Sequence, residues 1–130
     1  MLPANLFDPA HYEEVRRPLT EASTLPSWCY TTEAFYQREV EQIFLKQWNF
    51  ACRLDEIPEP GDYMVLDFCG ESVIIIRGKD DVVRAFVNVC RHRSARLLDG
   101  RGRCRTIVCR YHSWVYGLDG TLVRMKGMEQ

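Results

Sequence analysis

The sequence has almost no net charge, no long apolar run and only three histidines. Its 17 basic residues nearly balance 18 acidic ones, which gives a formal net charge of −1. Such a balance offers no overall field to attract nucleic acid or a membrane surface. No apolar stretch approaches the length of a bilayer span, and the N-terminus lacks the charged and then apolar pattern of a signal sequence. We therefore expect a soluble cytoplasmic protein with no nucleic-acid and no membrane partner.

Six cysteines could indicate a secreted disulfide scaffold, but their distribution favours another interpretation. Cys29, Cys52 and Cys69 are scattered among apolar residues, as is typical of free buried thiols in a reducing compartment. Cys104 opens the segment 104–108, which is predicted to be a strand, so we interpret it as a packing cysteine. The two remaining cysteines belong to a motif.

That motif consists of two short segments, each with one cysteine and one histidine. Cys90 and His92 are spaced C-x-H, Cys109 and His112 are spaced C-x-x-H, and sixteen residues separate His92 from Cys109. Soft thiolates and borderline imidazoles suit iron–sulfur, zinc or copper sites rather than magnesium or calcium. A Rieske 2Fe-2S centre needs this set, because two cysteines hold one iron and two histidines hold the other.

Two other interpretations of the motif remain open at this point. A zinc site with two cysteines and two histidines is one, although zinc ligands more often come as C-x2–4-C and H-x3–5-H pairs. A disulfide between Cys90 and Cys109 is the other, but it would leave both histidines unexplained.

The rest of the chain predicts a mainly β fold, an antiparallel sandwich or barrel, preceded by a helix and an irregular arm. The arm is residues 1–31, with four of the six prolines and a short helical turn at His11–Arg17. Residues 32–130 form the helix plus the β domain. Thr32 is the predicted cap of a helix over 33–48, whose apolar stripe is interpreted as core packing. Period-two patterns and turn clusters then predict a hairpin at Gly70 and seven strands: Trp48–Leu54, Tyr63–Phe68, Ser72–Arg77, Val82–Asn88, Cys104–Val108, Trp114–Tyr116 and Thr121–Arg124.

The segments 88–98 and 108–120, which contain the motif, resemble the Rieske domain of Rieske non-haem iron oxygenases. These are the α subunits of ring-hydroxylating dioxygenases and their choline and carnitine monooxygenase relatives. The resemblance covers roughly residues 25–125 and implies a 2Fe-2S cluster bound by Cys90, His92, Cys109 and His112. It departs from the family pattern at three positions. Ser94 and Ser113 stand where the family usually has glycine, and Arg110 stands where it usually has proline.

The resemblance also implies a role and partners. The cluster would relay electrons from an NAD(P)H-dependent reductase or ferredoxin to a mononuclear Fe(II) in a catalytic domain that this chain does not contain. The intact oxygenase would be a homo-oligomer, a trimer. Because a mononuclear site needs two histidines and only His11 is left over, this chain alone is expected to transfer electrons but not to oxygenate. The alternatives are a stand-alone Rieske ferredoxin, which usually lacks the 33–48 helix, and a structural zinc domain.

Three features near the motif bear on the reduction potential of the expected cluster and on the docking of another protein. Trp114 stands where respiratory-chain Rieske proteins have a serine donor, so a potential at the low end of the Rieske range, on the order of −150 mV, is expected. Ala95 and Tyr111 replace the extra cysteines of that class. Seven arginines surround the motif against Asp99 alone, which indicates either a solvated face or a docking surface for an acidic reductase or a neighbouring subunit.

Overall fold

The computed structural model describes residues 3–125 and divides the chain into two compact units, Met1–Asn49 and Phe50–Gln130. Residues 126–130, the end of the predicted 32–130 domain, lie outside the described part, as do residues 1–2. The division into an arm of residues 1–31 and a domain of residues 32–130 remains a prediction. Within the described residues, no helix has both the length and the apolar character needed to cross a bilayer.

The first unit is built from short helical segments. Its 3-10 turns are Pro9–Tyr12, Glu14–Arg16 and Ser27–Cys29, and α1 (Glu33–Glu39) continues into a π-helical turn, Val40–Phe44. In place of the single helical turn predicted at His11–Arg17 there are thus two 3-10 turns, and the first begins before His11, at Pro9. Asp8 caps the first of them by accepting a hydrogen bond from the Ala10 N–H at 3.0 Å.

The predicted helix over 33–48 is shorter than expected and starts without the expected cap. Thr32 Oγ1 donates to the carbonyl of Trp28 at 2.8 Å instead of accepting from the first turn. At the other end the Asn49 amide donates to the Phe44 carbonyl at 2.6 Å, which satisfies a terminal carbonyl of the helix. Val40 is buried, but Tyr36 and Ile43 are exposed, so the prediction that the whole stripe packs into a core was wrong.

The second unit confirms the predicted mainly antiparallel β fold. Its strands form a four-stranded sheet in the order β3-β2-β1-β4 and a three-stranded sheet in the order β5-β6-β7. The strands are β1 (Asp62–Phe68), β2 (Glu71–Arg77), β3 (Val83–Val87), β4 (Arg101–Arg103), β5 (Ile107–Val108), β6 (Val115–Tyr116) and β7 (Leu122–Arg124). The predicted hairpin at Gly70 is present. Cys69 and Gly70 have φ of 52° and 83°, as a two-residue type I′ loop requires.

Two strand predictions were wrong and one strand was missed. Trp48–Leu54 contains no strand, because the Arg53 N–H donates to the Glu56 carboxylate at 2.9 Å and closes a 3-10 turn, Leu54–Glu56. Cys104 lies outside a strand, and β5 begins only at Ile107. The missed strand is β4, which pairs antiparallel with β1.

One of two buried hydrophobic clusters in the described residues connects the two sheets and contains the motif cysteines. Ile74 and Ile76 of β2 pack in one cluster with Ile107 of β5 and with Cys90 and Cys109. Asn88 is a buried polar residue beside this core with its hydrogen bonds satisfied. Its Oδ1 accepts from the Leu97 and Leu98 N–H groups at 3.0 Å each, and its Nδ2 donates to the Leu98 carbonyl at 2.7 Å. Asn88 therefore fixes the return of the chain from the first motif segment onto the core.

Candidate metal centre

The two motif segments form loops with the same hydrogen-bond pattern. In the first loop, the Cys90 N–H donates to the Ala95 carbonyl at 2.8 Å and the Ser94 N–H donates to the Cys90 carbonyl at 2.9 Å. In the second loop, Cys109 pairs with Trp114 and Ser113 pairs with Cys109 at the same two distances. Each cysteine thus begins a closed turn whose last residue is a serine, Ser94 in the first loop and Ser113 in the second.

Both of these serines have left-handed backbone. Ser94 has φ of 50° and Ser113 has φ of 58°, a region that glycine adopts without strain. The loops thus keep the conformation for which the resembling family uses glycine, although serine occupies the positions.

The four predicted ligands lie together, with the two cysteine side chains and the Nδ1 atoms of both histidines buried. Cys90 and Cys109 are 1% and 2% exposed, and the rings of His92 and His112 lie 4.6 Å apart between centroids. The Nδ1 atoms of both histidines are buried and have no hydrogen-bond partner. A buried polar atom without a partner is costly unless it binds something, so these two atoms fit a metal ligand role.

The four side chains do not form the arrangement of a single-ion site. Among residues 3–125, no three His, Cys, Asp or Glu side chains converge on a position for a single metal ion. A 2Fe-2S cluster does not require such convergence, because each of its irons takes only two protein ligands and inorganic sulfide completes the set.

Comparison with known proteins decides the family. The profile of the Rieske [2Fe-2S] domain matches residues 47–130, which includes both loops. The chain belongs to the Rieske domain family. A 2Fe-2S cluster is the cofactor of that family, and two thiols with two neutral imidazoles are the donors it needs.

The relatives of this Rieske domain include much longer oxygenase subunits. The carnitine monooxygenase oxygenase subunit of Escherichia coli (strain K12) is 38% identical over 110 residues, which is 84% of this chain and 29% of that protein. The chloroplastic choline monooxygenase of Spinacia oleracea is 38% identical over 122 residues, which is 94% of this chain and 28% of that protein.

Solved structures show the same relation. A quaternary ammonium Rieske monooxygenase, studied in complex with L-carnitine and for its inter-subunit electron transfer, matches with a TM-score of 0.77 and 42% identity over 82% of this chain. The chain therefore spans about three tenths of the length of each of these relatives.

Tyr116 is a functional candidate that the sequence analysis missed. Its hydroxyl accepts a hydrogen bond from the Arg91 N–H at 3.1 Å and lies 3.2 Å from Cys90 Sγ. A deprotonated Cys90 sulfur can only accept, so with the thiolate the Tyr116 hydroxyl is the donor of this bond. Period-two alternation along β6 places Tyr116 on the same side as Trp114, which is the signal that could have found it.

Two of the four predicted ligands have pKa values shifted toward their metal-binding forms. Burial raises the pKa of the Cys90 thiol, but hydrogen bonds from Tyr116 and from backbone N–H groups outweigh it and bring the pKa below its usual value. Burial, with the charge of His112 and then of Arg93, lowers the pKa of His92. Both shifts favour the thiolate and the neutral imidazole, the forms that bind metal.

Aromatic rings pack against both motif histidines. Trp114 is stacked on His92, with ring centroids 4.7 Å apart and an angle of 6°, and it is 8% exposed. It therefore packs beneath the loop. Tyr111 lies 4.0 Å from His112 between ring centroids but is itself 60% exposed. One ring thus fixes a histidine from the interior, and the other covers the second histidine from the solvent side.

The remaining sequence predictions concern the cysteines and His11. All six cysteines are free, so Cys90 and Cys109 form no disulfide. Cys104 packs against the core that holds the loops, and burial raises its pKa, as a packing role predicts. Cys29 is buried, whereas Cys52 and Cys69 are half-buried. His11 belongs to the first unit, where it is exposed and contacts Trp28 edge to face at 5.9 Å.

Proposed function

We propose that Cys90 and Cys109 bind one iron of a Rieske 2Fe-2S cluster, that His92 and His112 bind the other, and that the chain relays single electrons. The observation that carries the proposal is the pair of buried, unpartnered Nδ1 atoms beside two buried thiols. When bound, the cluster supplies one-electron redox chemistry at a higher potential than an all-cysteine cluster, because two ligands are neutral.

The chain's own residues prepare this role. Trp114 holds the plane of the His92 ring, which fixes the direction of its Nδ1. Tyr116 joins the first loop to β6 through its hydroxyl, which holds the Cys90 sulfur and the Arg91 amide. The core around both cysteines excludes water from the sulfur side, while the histidine side is half-buried and borders on solvent. Electrons therefore have their shortest route to a partner through the histidines.

The wider role that we propose follows the relatives. This Rieske domain corresponds to the electron-transfer part of an oxygenase α subunit of the carnitine and choline monooxygenase type, or of the ring-hydroxylating type. It would receive electrons from an NAD(P)H-dependent reductase or ferredoxin in the cytoplasm. It would pass them to mononuclear Fe(II) held outside this chain, within a homo-oligomer, a trimer. With His92 and His112 on the cluster, His11 is the only histidine left among the 130 residues, so this chain alone would not oxygenate a substrate.

A turnover experiment tests both parts of the proposal. Protein purified with iron available should be reduced by dithionite, with bleaching of its visible absorbance, and reoxidised by a chemical electron acceptor. With reductase, NADH, ferrous iron and O2 it should form no hydroxylated product from carnitine, choline or an aromatic hydrocarbon. Product that scales with protein and persists in His11→Ala would contradict the histidine count, and absence of any reversible bleaching would contradict electron relay.

A further inference from the structure

Three buried side-chain nitrogen atoms have no hydrogen-bond partner among residues 3–125, and all three lie at the proposed centre. They are Nδ1 of His92, Nδ1 of His112 and Nε1 of Trp114. The Trp114 ring is stacked on the His92 ring with centroids 4.7 Å apart, and the His112 ring lies 4.6 Å from the His92 ring. Iron ligation accounts for the two histidine atoms, but it does not account for the indole nitrogen.

The indole nitrogen of Trp114 cannot bind iron as an imidazole does. Its lone pair belongs to the aromatic system, so Nε1–H acts only as a hydrogen-bond donor. Trp114 is 8% exposed, and a buried donor without an acceptor costs free energy comparable to a lost hydrogen bond. This donor therefore needs an acceptor inside the centre.

The side chains packed around Trp114 supply no such acceptor. The buried members of its cluster are otherwise aliphatic residues, Tyr116 and the two motif cysteines. The Tyr116 hydroxyl is already bonded to the Arg91 N–H and to Cys90 Sγ. Neither Cys90 nor Cys109 accepts a hydrogen bond from Nε1. The acceptor therefore belongs to the group that the two histidines and two cysteines bind.

We propose that the Trp114 Nε1–H donates a hydrogen bond to an inorganic sulfide of the cluster. The inference rests on the proposed function, because that sulfide is present only if the four ligands hold a 2Fe-2S cluster. Inorganic sulfide carries negative charge, and reduction increases it, so the bond is stronger in the reduced state. Trp114 thus raises the reduction potential, in addition to orienting the His92 ring.

The test removes the indole N–H and keeps the shape of the ring. Trp114→3-benzothienylalanine, introduced site-specifically into the full chain, exchanges the N–H for a sulfur atom that cannot donate. Trp48→3-benzothienylalanine is the matched control, because Trp48 is fully exposed and belongs to the first unit. Iron and sulfide content is measured on every protein, and spectroelectrochemical titration at one pH gives the midpoint potential.

The Trp114 variant should hold a complete cluster whose reduction is about fivefold less favourable, a shift of about −40 mV at about 59 mV per tenfold. The Trp48 control should change by less than about 1.5-fold, or about 10 mV. A variant that only loosened the packing would admit water, which stabilises the more charged reduced state and raises the potential. An unchanged or raised potential with the cluster intact would therefore overturn the proposal.

A second readout uses the natural sequence and does not depend on a variant keeping its cluster. The protein is labelled with nitrogen-15 at its indole nitrogens, reduced, and examined by pulsed electron paramagnetic resonance. Because a hydrogen bond to sulfide transmits unpaired spin, Nε1 should show an isotropic hyperfine coupling that disappears in Trp114→Phe. A missing coupling, or one that persists in Trp114→Phe, would overturn the proposal. A wild type without iron and sulfide would instead be a failure of the proposed function.

Discussion

The hydroxyl of Tyr116 provides a quantitative prediction about the redox centre. It lies 3.2 Å from Cys90 Sγ, the sulfur of a proposed iron ligand, and no other side-chain hydroxyl hydrogen-bonds to either motif cysteine among the described residues. A donated hydrogen bond stabilises the reduced cluster more than the oxidised one, because reduction adds negative charge that the sulfurs share. Tyr116→Phe deletes this bond while keeping the buried ring and its packing.

The size of the effect follows from ordinary hydrogen-bond energies. A net contribution of about 1 kcal/mol in favour of the reduced state corresponds to roughly 40 mV in a one-electron couple. We therefore expect Tyr116→Phe to lower the midpoint potential by about 40 mV. The Arg91 N–H also loses its acceptor, so the free energy of unfolding should fall by about 1 kcal/mol.

Spectroelectrochemical titration of wild type and variant at one pH measures the shift. Tyr111→Phe is the matched control, because Tyr111 also lies beside the centre, against the His112 ring, but its hydroxyl makes no hydrogen bond to a motif cysteine among the described residues. Its potential should stay within about 10 mV of the wild type, well below the shift worked out for Tyr116. A Tyr116→Phe potential that is unchanged or raised, with iron and sulfide content intact, would refute the reasoning that the hydroxyl donates to Cys90.

Three further predictions concern the loops and an ion pair. Ser113→Gly should be more stable than Ser113→Ala by about 1 kcal/mol in urea unfolding, because φ at this position is left-handed; equal stabilities would show that the loop carries no such strain. His92→Ala should lose the cluster or convert it, as iron and sulfide analysis would show, whereas His11→Ala should retain it. Asp62→Asn should lower the melting temperature at neutral pH, because hydrogen bonds from Arg103 and then from the Glu59 N–H lower the pKa of Asp62. Since that stabilisation exists only above the unfolded-state pKa and is lost as the pH falls through the folded-state pKa, the difference from the wild type should vanish in acid, and a difference that persists below about pH 2 would contradict the assignment.

Local chemistry explains why the centre was predictable from the sequence. Each loop brings its cysteine and histidine together within four residues, so their spacing alone limits the metals that they suit. The strands β1, β2 and β3 were predicted near their observed bounds because short runs rich in apolar and β-branched residues, bounded by turn clusters, are also a local signal. The departures at Ser94 and Ser113 were visible as well, and the structure shows that serine accepts the left-handed backbone there.

The misses share a different physical origin. The end of the helical segment is set by the Asn49 side chain, and the 3-10 turn at Leu54–Glu56 is set by Glu56, so side-chain bonds to the backbone replaced the expected regular structure. The bond between Tyr116 and Cys90 joins residues 26 positions apart, and it forms only once β6 packs beneath the first loop. The expectation drawn from Trp114 therefore did not include the Tyr116 hydroxyl, two residues further along the chain.

The same distinction applies to the charged surface. The sequence shows seven arginines near the motif, but which of them are neutralised depends on carboxylates that the sheets bring close. Asp62, for example, meets Arg103 across the β1–β4 pair. Pairing of this kind spans 41 residues and cannot be deduced from spacing.

The most direct test of the central claim is the metal and sulfide content of the purified chain. Protein produced with both iron and zinc available is measured by elemental analysis and by acid-labile sulfide assay. The account predicts about two irons and two sulfides per chain, because the four ligands match a Rieske cluster. Stoichiometric zinc without sulfide would contradict it, and would show that Cys90, His92, Cys109 and His112 converge on a single ion.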